Sequence, residues 1–115
     1  MDLNFSMEEA HLGEKRLHCA VAELGNAVLA LFWEGDEPRL GTLTVTLPGR
    51  VSSTLLGERD GLLGQLLGEH LAALHGKIAL VSTNLSVSTG SEAGKLLIAM
   101  ARKLAGDSSS RRRIE

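Results

Sequence analysis

The sequence predicts an α+β domain: a single antiparallel sheet of about six strands, with two helices packed on one face and the other face used for dimerisation. Three observations carry this. The first half of the chain alternates with the two-residue period of strands and is punctuated by turn residues. A leucine-rich stretch from Asp60 to His75 switches to the period of a helix. A short apolar strand and a second helical stretch follow it. A length of 115 residues sets one domain. That domain is taken as residues 1–106, with 107–115 a polar tail expected to be disordered.

Each element has its own warrant. Residues 3–9 give a short first strand. Residues 15–24 give the next, with Leu17, Cys19 and Val21 on one face and His18, Ala20 and Ala22 on the other. Gly25-Asn26 is a hairpin signal, because both residues tolerate positive φ, and 27–34 is the returning strand. Glu34 to Arg39 is a polar loop containing Gly35, Asp36 and Pro38. Over 40–47, Leu43, Val45 and Leu47 point one way and Thr42, Thr44 and Thr46 the other, the apolar-in, polar-out pattern of a half-covered sheet. Pro48-Gly49 turns the chain into a further strand at 51–56.

Asp60 is the expected N-cap of the first helix, and Gly76 its stop. Between them Leu62, Leu63, Leu66, Leu67, Leu71 and Leu74 recur three and four apart. Residues 77–84 form another strand. Ser91 caps a second helix that reaches about Ala105 and ends at Gly106. Both helices carry small residues in a stripe: Gly61, Gly64, Gly68 and Ala72 in the first, Gly94, Ala101 and Ala105 in the second. A mid-helix glycine costs roughly 0.5–1 kcal/mol relative to alanine. The stripes therefore predict close approach of another backbone, with the two helices side by side.

One strand breaks the half-covered pattern. Ala27 to Trp33 is apolar on both faces, Ile78 to Val81 is too, and 17–22 is nearly so. Two helices cover one face only, so the other needs a cover of its own. A second subunit packing sheet on sheet is favoured. Loop 34–39 or the N-terminal segment folding over is the alternative, but neither is long and apolar enough. The outward set is either Val28, Ala30 and Phe32 or Leu29, Leu31 and Trp33.

Composition excludes several function classes. A net charge of −2 and a pI of about 6.1 give no steering toward nucleic acid or anionic membrane. The aromatics are Phe5, Phe32 and Trp33, with no tyrosine, which leaves no stacking platform for single strands. Cys19 is the only cysteine, so an intramolecular disulfide is impossible and a cysteine-based zinc site has too few ligands. The longest apolar run, Ala27 to Trp33, falls far short of the roughly 20 residues of a membrane span. The start, Met1-Asp2-Leu3-Asn4, lacks the basic and apolar regions of a secretory signal. A soluble protein of the cytoplasm, or of the nucleus, is expected.

Catalytic motifs are missing or mismatched. Gly90-Ser91-Glu92-Ala93-Gly94-Lys95 mimics a phosphate loop, but the glycines stand too close and Leu96 follows the lysine. Gly57, Gly61 and Gly64 do not have dinucleotide-loop spacing. His11 and His18 belong to no ligand pattern. His70 and His75 do not share the i, i+4 spacing of two metal ligands, and His70 sits in the leucine face as a half-buried, hydrogen-bonded histidine. No Gly-x-Ser-x-Gly elbow occurs. Cys19 is read as a small core residue, and Arg111-Arg112-Arg113 as part of a solvated tail. No residue is assigned a catalytic, metal or cofactor role, no cofactor is expected, and the chain is not expected to be an enzyme.

Three short motifs point elsewhere. Asn4-Phe5-Ser6 lies near the start, Ser53-Thr54-Leu55-Leu56-Gly57 before the first helix, and Val81-Ser82-Thr83-Asn84-Leu85 after it. In this order and spacing they resemble the eukaryotic proteasome-assembly chaperones over about residues 3–105. The resemblance implies a six-stranded antiparallel sheet with two helices and no chemistry. It implies a heterodimer, in which the third and fourth chaperones of the set associate, that binds a 20S proteasome α-subunit, promotes α-ring assembly and leaves before the particle is complete. On that basis Leu29, Leu31 and Trp33 are candidates for the dimer interface, with Trp33 as the hot spot. Loops 34–39 and 48–54 are candidates for the subunit-facing surface, through Glu34, Asp36, Arg39, Arg50, Ser52 and Thr54. The chain departs from the family in its few aromatics and its basic tail. A homodimeric scaffold of similar fold, unrelated to the proteasome, satisfies the same patterns. A small ligand-binding module or enzyme would need a concave site with convergent polar groups.

Overall fold

The computed structural model describes residues 4–49, 52–57, 61–86, 89 and 92–114. The strands are β1 (Ser6–Leu12), β2 (Lys15–Glu23), β3 (Ala27–Glu34), β4 (Thr42–Thr46), β5 (Ser52–Leu56) and β6 (Ile78–Asn84). The helices are α1 (Gly61–His75), between β5 and β6, and α2 (Gly94–Ile114), after β6. The strands form one sheet in the order β1-β2-β3-β6-β4-β5.

The class is α+β, but the sheet is mixed. β3 and β6 run parallel, from Ala27 opposite Ile78 to Trp33 opposite Asn84, while every other neighbouring pair is antiparallel. This corrects the wholly antiparallel expectation. The cause lies in the connection. After β3 the β4–β5 hairpin reverses the chain twice, and the helical crossover through α1 then brings β6 in parallel to β5 and so to β3. β6 fills the slot between β3 and β4.

The local signals mostly act where the sequence places them. Leu24 N–H donates to Ala27 C=O at 2.7 Å, closing the turn at Gly25-Asn26, and Gly25 does not need the left-handed region to do so. Gly76 does, with φ of 65°, and its N–H donates to Ala72 C=O at 2.8 Å to end α1. The first strand runs later than expected, because Gly13 with φ of 63° makes a tight hairpin between Leu12 and Lys15. The second helix extends past Gly106 to Ile114. The expected caps, Asp60 and Ser91, lie outside the described residues.

Both helices pack on the same side of the sheet. Leu17, Cys19 and Val21 of β2, Val28, Ala30 and Phe32 of β3, and Ala79 and Val81 of β6 meet Leu67 and Leu71 of α1 and Leu97, Met100, Ala101 and Leu104 of α2. Each fully buried leucine or phenylalanine contributes about 1.5–3 kcal/mol. α1 lies over β4 and β6, while α2 reaches β1 and β2.

The glycine stripe has a different job from the one expected. A Cβ at Gly64 would stand 2.6 Å from Thr44 Oγ1, and one at Gly68 would stand 2.3 Å from Thr46 Oγ1. Gly64 and Gly68 let α1 lie close against the threonine side chains of β4. At Gly94 of α2 the nearest neighbour to an added Cβ is Leu63 Cδ1 at 3.7 Å, an ordinary contact. The threonines of β4 therefore point inward, and Thr42, Thr44 and Thr46 are buried. Leu43 and Val45 point away from the helices, opposite to the apolar-in pattern expected of this strand. With glycines pressed on the sheet, α1 is rotated so that Leu62, Leu66 and Leu74 remain exposed.

Candidate functional site

Alternation along each strand builds one continuous helix-free face. Leu17 and Cys19 enter the core, so their neighbours His18, Ala20 and Ala22 project the other way. Val28, Ala30 and Phe32 are fully buried under the helices, which places Leu29, Leu31 and Trp33 on the free face. The register then sets Ala20 beside Leu31, Leu31 beside Ser82, and Leu29 beside Leu80. Leu80 is opposite Val45, and Ser82 is opposite Leu43. The face is therefore largely apolar across β2, β3, β6 and β4, with Ser82 buried in it and its Oγ accepting from Gly41 N–H at 2.9 Å. Leu29, Leu31, Leu43, Val45, Ile78 and Leu80 are each only half-buried. Met7 at one edge and Leu55 at the other are exposed, as is Leu47 just beyond β4.

The three predicted interface residues thus share this face, and the choice between the two outward sets falls on Leu29, Leu31 and Trp33. They are not equivalent. Trp33 is only 3% exposed. Its ring stacks on His18, its partner across the β2–β3 ladder, with centroids 5.1 Å apart and planes 11° from parallel. Trp33 Nε1 and His18 Nε2 are buried without a hydrogen-bond partner among the described residues. The tryptophan shapes the face from within, while the leucines offer the accessible area. Sequence reasoning missed Leu43, Val45, Leu80 and His18 as members. Strand period was the available signal, since each shares parity with residues already placed there once the register is known.

The predicted subunit-facing residues separate into two places. Glu34, Asp36 and Arg39 line an open cleft of about 540 Å³ with Gly35, Glu37, Asn84, Leu85 and Ser86. This cleft lies where the loop from β3 to β4 passes the end of β6. Asp36 pairs with Arg16 of β2. Glu34 accepts hydrogen bonds from Ser86 N–H at 3.2 Å and Ser86 Oγ at 3.1 Å. Burial pushes the Glu34 carboxyl up, but hydrogen bonds from Thr89 and Ser86 and the charge of Lys15 outweigh it, so it sits below its ordinary value. Lys15 Nζ in turn donates to Ser86 Oγ at 2.9 Å.

The second loop is elsewhere. Thr42 pairs with Thr83 at the end of β6, and Thr46 with Ala79 near its start. The β4–β5 turn therefore lies at the opposite end of the sheet from the Glu34 cleft. Ser52 and Thr54 sit on the edge strand β5, opposite Thr46 and Thr44, and Ser52 Oγ hydrogen-bonds Thr46 Oγ1 at 2.6 Å. Arg50 lies outside the described residues.

The remaining reactive groups have structural settings. Cys19 is fully buried in the core. Burial, reinforced by the charge of Glu8, pushes its thiol up to about 12, which keeps it protonated and a poor nucleophile at neutral pH. His75 Nδ1 lies 3.6 Å from Glu23 Oε2, which also takes Lys77 Nζ at 2.6 Å. Among the described residues no group of three or more His, Cys, Asp or Glu side chains is placed to hold a metal ion. No helix among them is long and apolar enough to cross a membrane. Comparison with known proteins gives no matching family model and no matching curated relative.

Proposed function

We propose that this chain is a proteasome-assembly chaperone, most similar to the fourth of that set, acting as one half of a heterodimer with a related chaperone, the third. The pair would hold a 20S proteasome α-subunit and promote α-ring assembly in the cytoplasm or nucleus. The observation that carries the reading is the helix-free sheet face, largely apolar from β2 to β4 and half-open to water. A partner sheet laid on Leu29, Leu31, Leu43, Val45 and Leu80 would remove that surface from water at about 25 cal/mol per Å². The three motifs support the family. Asn4-Phe5-Ser6 leads into β1, Ser53-Thr54-Leu55-Leu56-Gly57 occupies β5 and its exit, and Val81-Ser82-Thr83-Asn84-Leu85 is the end of β6 and the residue after it.

Templating fits such a surface. A rigid dimer holding one α-subunit fixes which neighbours it can receive and blocks wrong pairings. The Glu34 cleft and the β4–β5 turn lie at opposite ends of the sheet, so they would touch different parts of a bound subunit. The test is affinity capture of the tagged protein from its own cells with mass spectrometry, for the wild type and for Leu29→Asp with Leu31→Asp. Recovery of a second small chain and α-subunits without mature β-subunits, lost in the double variant, is the expected result. Self-association alone would move the assignment to a homodimeric scaffold, and recovery of neither would end the proteasome reading.

A further inference from the structure

The helical layer carries a second surface, on the other side of the molecule from the open sheet face. His70 of α1 and Lys95, Ile98, Ala99, Arg102 and Lys103 of α2 line an open groove of about 640 Å³. Lys95, Ile98, Ala99 and Arg102 are spaced three and four apart and form one stripe of α2. His70 stands on the same i±4 row of α1 as Leu62, Leu66 and Leu74, which are 81%, 43% and 50% exposed. The α1 wall is thus His70, whose row continues beyond the groove as solvent-facing leucines, and the α2 wall combines cations with Ile98.

Lys103 Nζ already pairs with Glu8 at 3.0 Å. Lys95 and Arg102 are exposed and take part in no ion pair among the described residues. A groove with cations and Ile98 along one wall, flanked by uncovered leucines on α1, is complementary to an acidic amphipathic helix.

We propose that this groove docks an acidic amphipathic segment of a partner protein, its apolar side on Ile98 and the α1 leucines and its carboxylates on Lys95 and Arg102. A flat anionic bilayer does not match a concave surface. The lining holds no Phe, Tyr or Trp on which nucleic-acid bases could stack. The inference does not rest on the function proposed above, since none of the groove residues belongs to the open face.

An anisotropy titration of the full chain tests it. The probes are fluorescein-labelled helical peptides with a leucine face flanked by glutamates, at several spacings, beside matched peptides with lysines replacing the glutamates. Phosphatidylserine vesicles and a single-stranded oligonucleotide complete the set. The acidic peptides should bind saturably and the lysine peptides should not. Lys95→Glu with Arg102→Glu should weaken binding roughly tenfold or more, raised salt should weaken it too, and Leu31→Asp should leave it unchanged. Lys95→Gln with Arg102→Gln provides the same test should the charge reversal unfold α2. Flat titrations with all acidic peptides overturn the proposal. So does binding indifferent to the charge variants at an unchanged melting temperature, or binding to vesicles or oligonucleotide in place of peptide.

Discussion

The two sides of β4 differ in a way that an isolated domain has little reason to adopt. On its helix side the strand presents Thr42, Thr44 and Thr46, all buried, with Thr44 and Thr46 against Gly64 and Gly68 of α1 and Thr42 against Gly57. Away from it the strand presents Leu43 and Val45, left half-open. Burying the apolar set under the helix would have stabilised the monomer more, because each fully buried Val or Leu contributes about 1.5–3 kcal/mol. In β3 the contrast is weaker. Val28, Ala30 and Phe32 lie inside, Leu29, Leu31 and Trp33 outside, and both sides are apolar. The sheet thus has one interior completed by its own helices and a second, largely apolar surface left half-open. That asymmetry is what makes a partner on the open face the stronger reading, and it can be tested side by side.

The largest effect is expected from deleting a side chain of the completed interior. Phe32→Ala should lower unfolding free energy by about 3–5 kcal/mol, the range for an aromatic removed from a packed core. Leu31→Asp, one position away on the open face, should cost the isolated chain less than about 1 kcal/mol while abolishing capture of the second chain. Urea denaturation of both variants, read with the capture assay, makes the comparison. If Leu31→Asp destabilises the monomer as strongly as Phe32→Ala, the open face is already covered within the chain and the partner reading loses its main support.

How far the sequence showed this follows from what period can and cannot say. Alternation in β2, β3 and β4 and the three-and-four spacing in α1 marked those elements, because each period is local to its own segment. Period divides a strand into two faces without saying which is inside. For β3 both sets were apolar, so Leu29, Leu31 and Trp33 could not be told from Val28, Ala30 and Phe32. For β4 the apolar-in rule pointed the wrong way, since the deciding fact was a glycine row on a helix that follows it in the chain. The parallel β3–β6 pair was hidden for a related reason. Strand partners are chosen by the crossover through α1, and antiparallel neighbours are merely the commoner outcome for short connections. The stripe of Gly64 and Gly68 did announce a close approach, but it is to the threonine side chains of β4 and not to another backbone. The burial of Trp33 was not legible, because it depends on the His18 ring across the ladder.

A smaller effect is expected where α1 meets β4. Alanine in place of glycine normally strengthens a helix by about 1 kcal/mol. At Gly68 the new Cβ would stand 2.3 Å from Thr46 Oγ1, which is itself held by Ser52 Oγ at 2.6 Å. Neither atom can move without separating helix from sheet or breaking that hydrogen bond. Gly68→Ala should therefore destabilise by about 1–3 kcal/mol, as overpacking does. A gain in melting temperature would mean that the helix is free to lift from β4, and that the threonine row is not pinned beneath it.

Thr44 supplies the finest test of the comparison. Its Oγ1 is buried and has no hydrogen-bond partner among the described residues. A hydroxyl in that position has lost its water and gained nothing in return, a penalty of about 1–3 kcal/mol. Valine has nearly the same shape and no such group. If the threonines of β4 serve only to sit under Gly64 and Gly68, Thr44→Val should raise stability by about 1 kcal/mol and leave partner capture intact, because the substituted side chain faces α1 and not the open surface. Thermal denaturation of Thr44→Val, with capture measured in parallel, reads both. A loss of stability would show that the hydroxyl is held by a group that a methyl cannot replace, and the polar side of β4 would then be a structural requirement of the α1 contact, not a compromise made in favour of the face opposite.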